Sequence, residues 1–264
     1  MHFSLFTFTG TNVNDALLDA LDIQQTTNEI EPMAPLVVFL TDGDPTTGVT
    51  NFKDILNNVE EKNKQKVQIF SLSFGNDANF SFLKKLSARN NALARKIYAD
   101  SDASLQLTGF YDEISNVLLS KLSFTYLDDK VNLTSVTQTQ FSSFFDGSEL
   151  IVAGKLNELE DDFNTLTLSV VGSGESGILE LSSSTNAQSM NSIEPDFKTK
   201  LSFETITEKT WAYLTIKKLM EEMLKTENRM LRNEIKRDAM RLALRVCNST
   251  GAKCRKSKTR HNYI

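Results

Sequence analysis

Leu36 to Leu40 (LVVFL) most limits how this chain can fold. It is a short, wholly apolar run rich in β-branched residues. Pro35 precedes it and the turn Asp42-Gly43-Asp44-Pro45 ends it. Such a run reads as a strand buried on both faces, and a strand of that kind needs a covering layer on each side. The flanking sequence supplies those layers. Val13, Ala16, Leu17, Ala20 and Leu21 repeat at helical spacing, as do Phe52, Ile55, Leu56 and Val59, and then Phe80, Leu83 and Leu86. Val67 to Phe74 (VQIFSLSF) reads as a second strand stopped by Gly75, and Lys96 to Ala99 as a third, brief one. Leu107, Phe110, Tyr111, Ile114, Val117 and Leu118 predict one amphipathic helix. Helices alternating with buried strands imply an α/β fold built on a parallel sheet.

The pattern changes after Lys121. Short strands are expected over Ser123–Tyr126, Val131–Thr137, Glu149–Gly154, Leu166–Val170 and Ile178–Leu181, a small antiparallel β segment. Ser182 to Pro195 is polar and reads as a loop. From Thr207 two helices are expected. One has Ala212, Tyr213, Ile216, Leu219, Met220 and Met223 on its inner face, the other Leu231, Ile235, Leu242 and Val246, and they turn near Thr226 to Arg229. The methionines read as core. The expected division is 1–121, partial α/β domain; 122–195, β-rich segment; 206–246, helical segment; 247–264, basic tail.

Histidine occurs only as His2 and His261, at the two extremes of the 264 residues. A Ser-His-Asp or Cys-His centre in the body is therefore not expected, which leaves a carboxylate-only site as the one enzymatic route. Cys247 and Cys254 lie near the C-terminus, so no disulfide framework spans the body. With His261 they match no zinc pattern. The net charge of -5 argues against a nucleic-acid binder, although Lys253 to Arg260 form a basic tail that reads as solvated. No apolar run reaches membrane-spanning length, and Met1 to Phe8 lacks the features of a signal peptide.

Chemistry is expected at the C-terminal rim of the parallel sheet, where loops converge. Asp42 follows the LVVFL strand, and Thr11 sits just ahead of the first helix. The segments around them, GTNVNDALL and VVFLTDGDPTTGVT, resemble two metal-site loops of a von Willebrand factor A domain. Further along, FSLSFGNDANFSFLKKLS, ARKIYADSDASLQLTGFYDEIS, FFDGSELIVAGKL and TWAYLTIKKL are similar, in the same order, to the inter-alpha-trypsin inhibitor heavy chain family. The resemblance runs from about Gly10 to Val246. It implies a secreted, non-enzymatic carrier or adhesion protein of the extracellular matrix, associated with hyaluronan, a protease-inhibitor light chain and other matrix proteins.

Three departures qualify what the resemblance implies. The opening Asp-x-Ser-x-Ser loop of the adhesion site is not among these residues. Thr11 and Asp42 then supply two oxygens where Mg²⁺ takes about six, so no cofactor is expected unless that loop is supplied. The plainer reading makes Thr11 a helix N-cap and Asp42 a turn residue. The end, Cys247-Asn248-Ser249-Thr250-Gly251 and the basic tail, lacks the family's ester-forming aspartate. No signal peptide opens the chain, so an intracellular product acting at most through its helices or tail is the alternative. LVVFL is expected to lie at a sheet edge, with His2 to Phe8 as a possible partner strand. Sequons at Asn79, Asn132 and Asn248 allow glycosylation only in a secreted chain.

Overall fold

A computed structural model describes residues 10–27, 35–75, 77–127, 129–157, 165–186 and 197–249. The expected partner strand at His2 to Phe8 and the tail beyond 249 lie outside the described residues, as does the expected loop from 187 onward. The described chain forms two units. One comprises residues 1–125, 140–150 and 169–182, and the other 126–139, 151–168 and 183–264.

The first unit opens with helix α1 (Val13–Thr27), strand β1 (Leu36–Thr41), α2 (Phe52–Lys62), β2 (Gln68–Phe74), α3 (Phe80–Arg89), β3 (Ala94–Ile97) and α4 (Ala103–Ile114). The strands form a parallel sheet in the order β1-β2-β3, with Leu36 opposite Gln68 and Ser71 opposite Ala94. Alternation along β2 explains its two packed faces. Ile69 meets a core built from Val13, Leu17 and Leu21 of α1, Ile55 and Val59 of α2, and Leu83 and Leu86 of α3. Phe70 and Leu72 point the other way, against Ile97, Phe110 and Ile114. Polar atoms tie these layers together. The Ser87 hydroxyl donates to Ser71 Oγ at 2.9 Å, and Asn58 Nδ2 of α2 donates to Asn14 Oδ1 of α1 at 2.9 Å.

β1 departs from the expected double burial. Leu36, Val37 and Phe39 are half-buried, but Val38 is 37% and Leu40 51% exposed. Phe39 and Val37 share the face packed by α1 to α3, whereas Val38 and Leu40 share the face on which α4 packs against β2 and β3. Among the described residues β1 lies at the sheet's edge, as expected.

α4 also stops early. The backbone N–H of Ser115 closes on Tyr111 O at 2.8 Å, and Val117 and Leu118, expected in the helix, begin strand β4 (Val117–Tyr126). β4 pairs antiparallel with β6 (Gln140–Phe145), a strand not foreseen, with Val117 opposite Phe145. The sheet order is β6-β4-β8-β9, where β8 is Thr165–Gly174 and β9 is Gly177–Asn186. Both are longer than expected, and β9 takes in residues 182–186 that read as loop. Phe145 stands edge-on to Phe70, 6.1 Å between centroids. Ser143 Oγ donates to Gln68 Oε1 at 2.5 Å. β3 begins and ends two residues before the expected Lys96–Ala99.

In the second unit the expected strand over Val131–Thr137 is a two-residue β5 (Val131–Asn132) followed by a single 3-10 turn (Leu133–Ser135). Glu149–Gly154 is not a strand, and β7 (Lys155–Leu156), just after it, pairs with β5. Helices α5 (Phe197–Lys225) and α6 (Arg229–Ser249) form the expected hairpin, with α5 starting ten residues earlier than expected. Asn228 Oδ1 accepts from Met230 N at 2.9 Å and so opens α6. Trp211 Nε1 donates to Ser135 O at 2.8 Å, with Lys155 Nζ 4.5 Å over the indole. Tyr213, Met220 and Leu231, expected inside, are exposed. No helix among the described residues is long and apolar enough to cross a membrane.

Candidate functional site at the rim of the parallel sheet

Three segments meet at the C-terminal ends of β1 and β2: residues 10–12, 42–51 and 77–79. Backbone bonds fix the first against the second. Thr11 N–H donates to Thr46 Oγ1 at 2.8 Å, and Thr11 O accepts from Thr46 N at 2.9 Å and Thr47 N at 3.3 Å. The approach requires glycine at position 10, because a Cβ there would collide with Thr47 Oγ1. Gly48 closes the loop with φ +67°. The Asp42 turn is held from inside. Thr41 Oγ1 donates to Gly43 O at 2.8 Å and accepts from Gly43 N at 3.3 Å. Asp44 Oδ1 accepts from Asn79 N at 2.8 Å, which joins the third loop to the second.

Thr11 is not the cap of α1, contrary to the plainer expectation. Asn12 takes that role: its Oδ1 accepts from Asp15 N at 3.2 Å, while its Nδ2 donates to Asp15 Oδ2 at 2.7 Å. Asn14 Nδ2 donates to Asp15 Oδ1 at 2.8 Å. These donors, Asn14 first and Asn12 second, hold the Asp15 carboxyl below its ordinary value.

The structure thus puts Thr11 and Asp42 on one clamped rim, with Thr11 bonded to the loop that Asp42 begins. Among the described residues the Thr11 hydroxyl makes no hydrogen bond, and the exposed Asp42 carboxylate has neither a hydrogen bond nor an ion pair. Both are hard oxygen donors of the kind Mg²⁺ takes. Asp44 has one carboxylate oxygen committed to Asn79. Among the described residues no three His, Cys, Asp or Glu side chains gather to hold a metal ion. The donor chemistry suits a hard divalent ion, and the number of donors falls short of its shell.

Asn12, Asp44 and Asn79, which organise the rim, were not singled out from the sequence for that role. Asn12 with Asp15 three residues on is a readable capping signal. The bond from Asn79 to Asp44 spans 35 positions, and nothing local announces it.

Residues 4–113 match the von Willebrand factor type A domain family. The chain is 43% identical over 136 residues to inter-alpha-trypsin inhibitor heavy chain H4 of Homo sapiens, covering 50% of this chain and 14% of that one. It is 47% identical over 124 residues to heavy chain H6 of the same organism, covering 44% of this chain and 9% of that one. Among solved structures, a von Willebrand factor type A protein from Catenulispora acidiphila matches with TM-score 0.47 and 11% identity, covering 92% of this chain and 62% of that one.

Proposed function

Starting from a von Willebrand factor type A domain in residues 4–113, in a chain similar over half its length to inter-alpha-trypsin inhibitor heavy chains, we propose a non-enzymatic extracellular carrier or adhesion module. Its partners are hyaluronan, a protease-inhibitor light chain and other matrix proteins. The chain spans 14% of the length of heavy chain H4, so these partners are a proposal for this chain. Its A-type part falls within the matched residues 4–113, β4 to β9 supply the β-rich part, and α5 and α6 the helical part.

One observation carries the reading: inside a rim whose neighbouring groups are bonded, the Thr11 hydroxyl and Asp42 carboxylate stand unengaged among the described residues. Such a pair faces a ligand or a cation rather than serving the loop's own structure. His2 and His261 are the only histidines in the sequence, which leaves a carboxylate as the general base any catalysis at this rim would need. Thr11 and Asp42 would face the cation, and an ion bound there would supply a charge on which an acidic partner group docks. Two side chains do not complete its shell, so the ion is held firmly only when an Asp-x-Ser-x-Ser loop adds oxygens.

Binding of the purified chain to immobilised hyaluronan and to a light chain tests the proposal, with Asp42→Ala alongside. Capture by at least one surface is expected, unchanged by Mg²⁺, together with a thermal midpoint that stays flat through a Mg²⁺ titration. Absence of binding to both surfaces sinks the carrier reading. A midpoint that climbs with Mg²⁺ in the parent and not in Asp42→Ala sinks the incomplete-shell reading, and Asp42-dependent hydrolytic turnover sinks the non-enzymatic one.

A further inference from the structure

We propose that Asn132 is an N-glycan acceptor, and that it is favoured over Asn79; the proposal rests on the extracellular reading. Two of the three sequons have described asparagine side chains, and the fold treats them differently. Asn79 is the N-cap of α3. Its Oδ1 accepts from Phe82 N at 3.1 Å and its N–H is bound to Asp44. Phe80, the middle residue of that sequon, packs against the buried core. Among the described residues the Ser81 hydroxyl makes no bond to Asn79, and a bulky sugar there would sit at the clamped rim.

Asn132 sits at the start of the 3-10 turn. Its Oδ1 accepts from Thr134 N at 3.1 Å and from Thr134 Oγ1 at 2.6 Å, and its carbonyl accepts from Ser135 Oγ at 2.7 Å. Leu133 and Thr134 are exposed. The sequon threonine thus engages the oxygen end of the amide, and Nδ2, which makes no hydrogen bond among the described residues, is the available end. The hydroxyl bond draws electron density toward Oδ1 and makes the Nδ2 protons easier to lose. The bonds that shape the turn all lie within residues 132–135, so the arrangement of the sequon is local.

The co-reactant is a lipid-linked pyrophosphoryl oligosaccharide. Nδ2 forms a bond to the anomeric carbon. The bond from that carbon to the pyrophosphate oxygen breaks, the lipid pyrophosphate leaves with the electron pair, and one Nδ2 proton passes to solvent.

The full chain, fused to a secretion signal and expressed in animal cells, tests this whether or not the native chain is exported. That separates failure here from failure of the extracellular reading. After enzymatic glycan removal, peptide mass spectrometry of the secreted chain is expected to find residue 132 converted to aspartate in most molecules. Thr134→Val should abolish this and Thr134→Ser should preserve it, and neither touches Asn132 itself. Recovery of residue 132 as unmodified asparagine overturns the proposal, and so does a glycan at Asn79 with none at Asn132.

Discussion

Asn12 and Asp15 hold each other across the first turn of α1, each side chain engaging the other residue. Asn12 Oδ1 takes the Asp15 N–H at 3.2 Å and Asn12 Nδ2 gives a hydrogen to Asp15 Oδ2 at 2.7 Å. The carboxylate is the better acceptor when ionised, so these bonds and the one from Asn14 favour the charged form and lower its pKa. A carboxyl depressed in the folded state adds stability above its unfolded value of about 3.9, and that stability is lost as pH falls through the lower folded value. Asp15→Asn should therefore lower the thermal midpoint at neutral pH and flatten its decline below about pH 4. Parent and variant curves that stay parallel through the acid range would remove Asp15 from the account.

Two serines on one strand predict opposite outcomes. Ser71 and Ser73 are both fully buried in β2. Ser71 Oγ accepts from Ser87 Oγ, whereas Ser73 Oγ is a buried atom with no partner among the described residues. Ser71→Ala leaves the Ser87 hydroxyl without its acceptor and should cost about 1–2 kcal/mol. Ser73→Ala removes a hydroxyl that was desolvated without compensation, so it should stabilise by about 1 kcal/mol. Urea unfolding of the two variants reads the difference, and equal losses would show that Ser73 has a partner after all.

How much of this was legible follows from how local each signal is. α1, α2, β1 and β2 announced themselves because helical or apolar patterning and turn residues sit inside each element. The start of β4 reads as helix because Val117 and Leu118 continue the spacing of Phe110 and Ile114. What ends α4 is pairing with Phe145, a partner far along the chain. β6 (QFSSFF) has no alternation to reveal it. The burial of β1 was overestimated because an apolar run shows that a strand wants cover and says nothing of whether a layer lies over each face. The buried amides follow the same rule. Asn63 donates to Val67 O at 2.8 Å and to Asn90 Oδ1 at 2.7 Å, joining the end of α2 to the end of α3. In sequence Asn63 and Asn90 are two polar residues among many. At the rim, chain position and the resemblance of their loops pointed to Thr11 and Asp42, while the bond from Asn79 to Asp44, 35 positions apart, has no local signal.

Gly48 makes the last test, because it couples the loop after Asp42 to the cap of α1. Its φ of +67° is one that residues with a Cβ rarely adopt, and an added Cβ would lie 2.7 Å from Asn12 Oδ1. Gly48→Ala therefore carries backbone strain of about 1–2 kcal/mol and pushes Asn12 away from Asp15, which adds about 1 kcal/mol for the damaged cap. Gly43, in the same loop, has open space where its Cβ would go. Gly43→Ala should change stability by less than about 0.5 kcal/mol. Chemical denaturation should separate the two variants by about 2–3 kcal/mol, the sum of strain and lost cap. If Gly48→Ala proves as mild as Gly43→Ala, the loop is free to move away from Asn12, and the rim that presents Thr11 and Asp42 is not clamped.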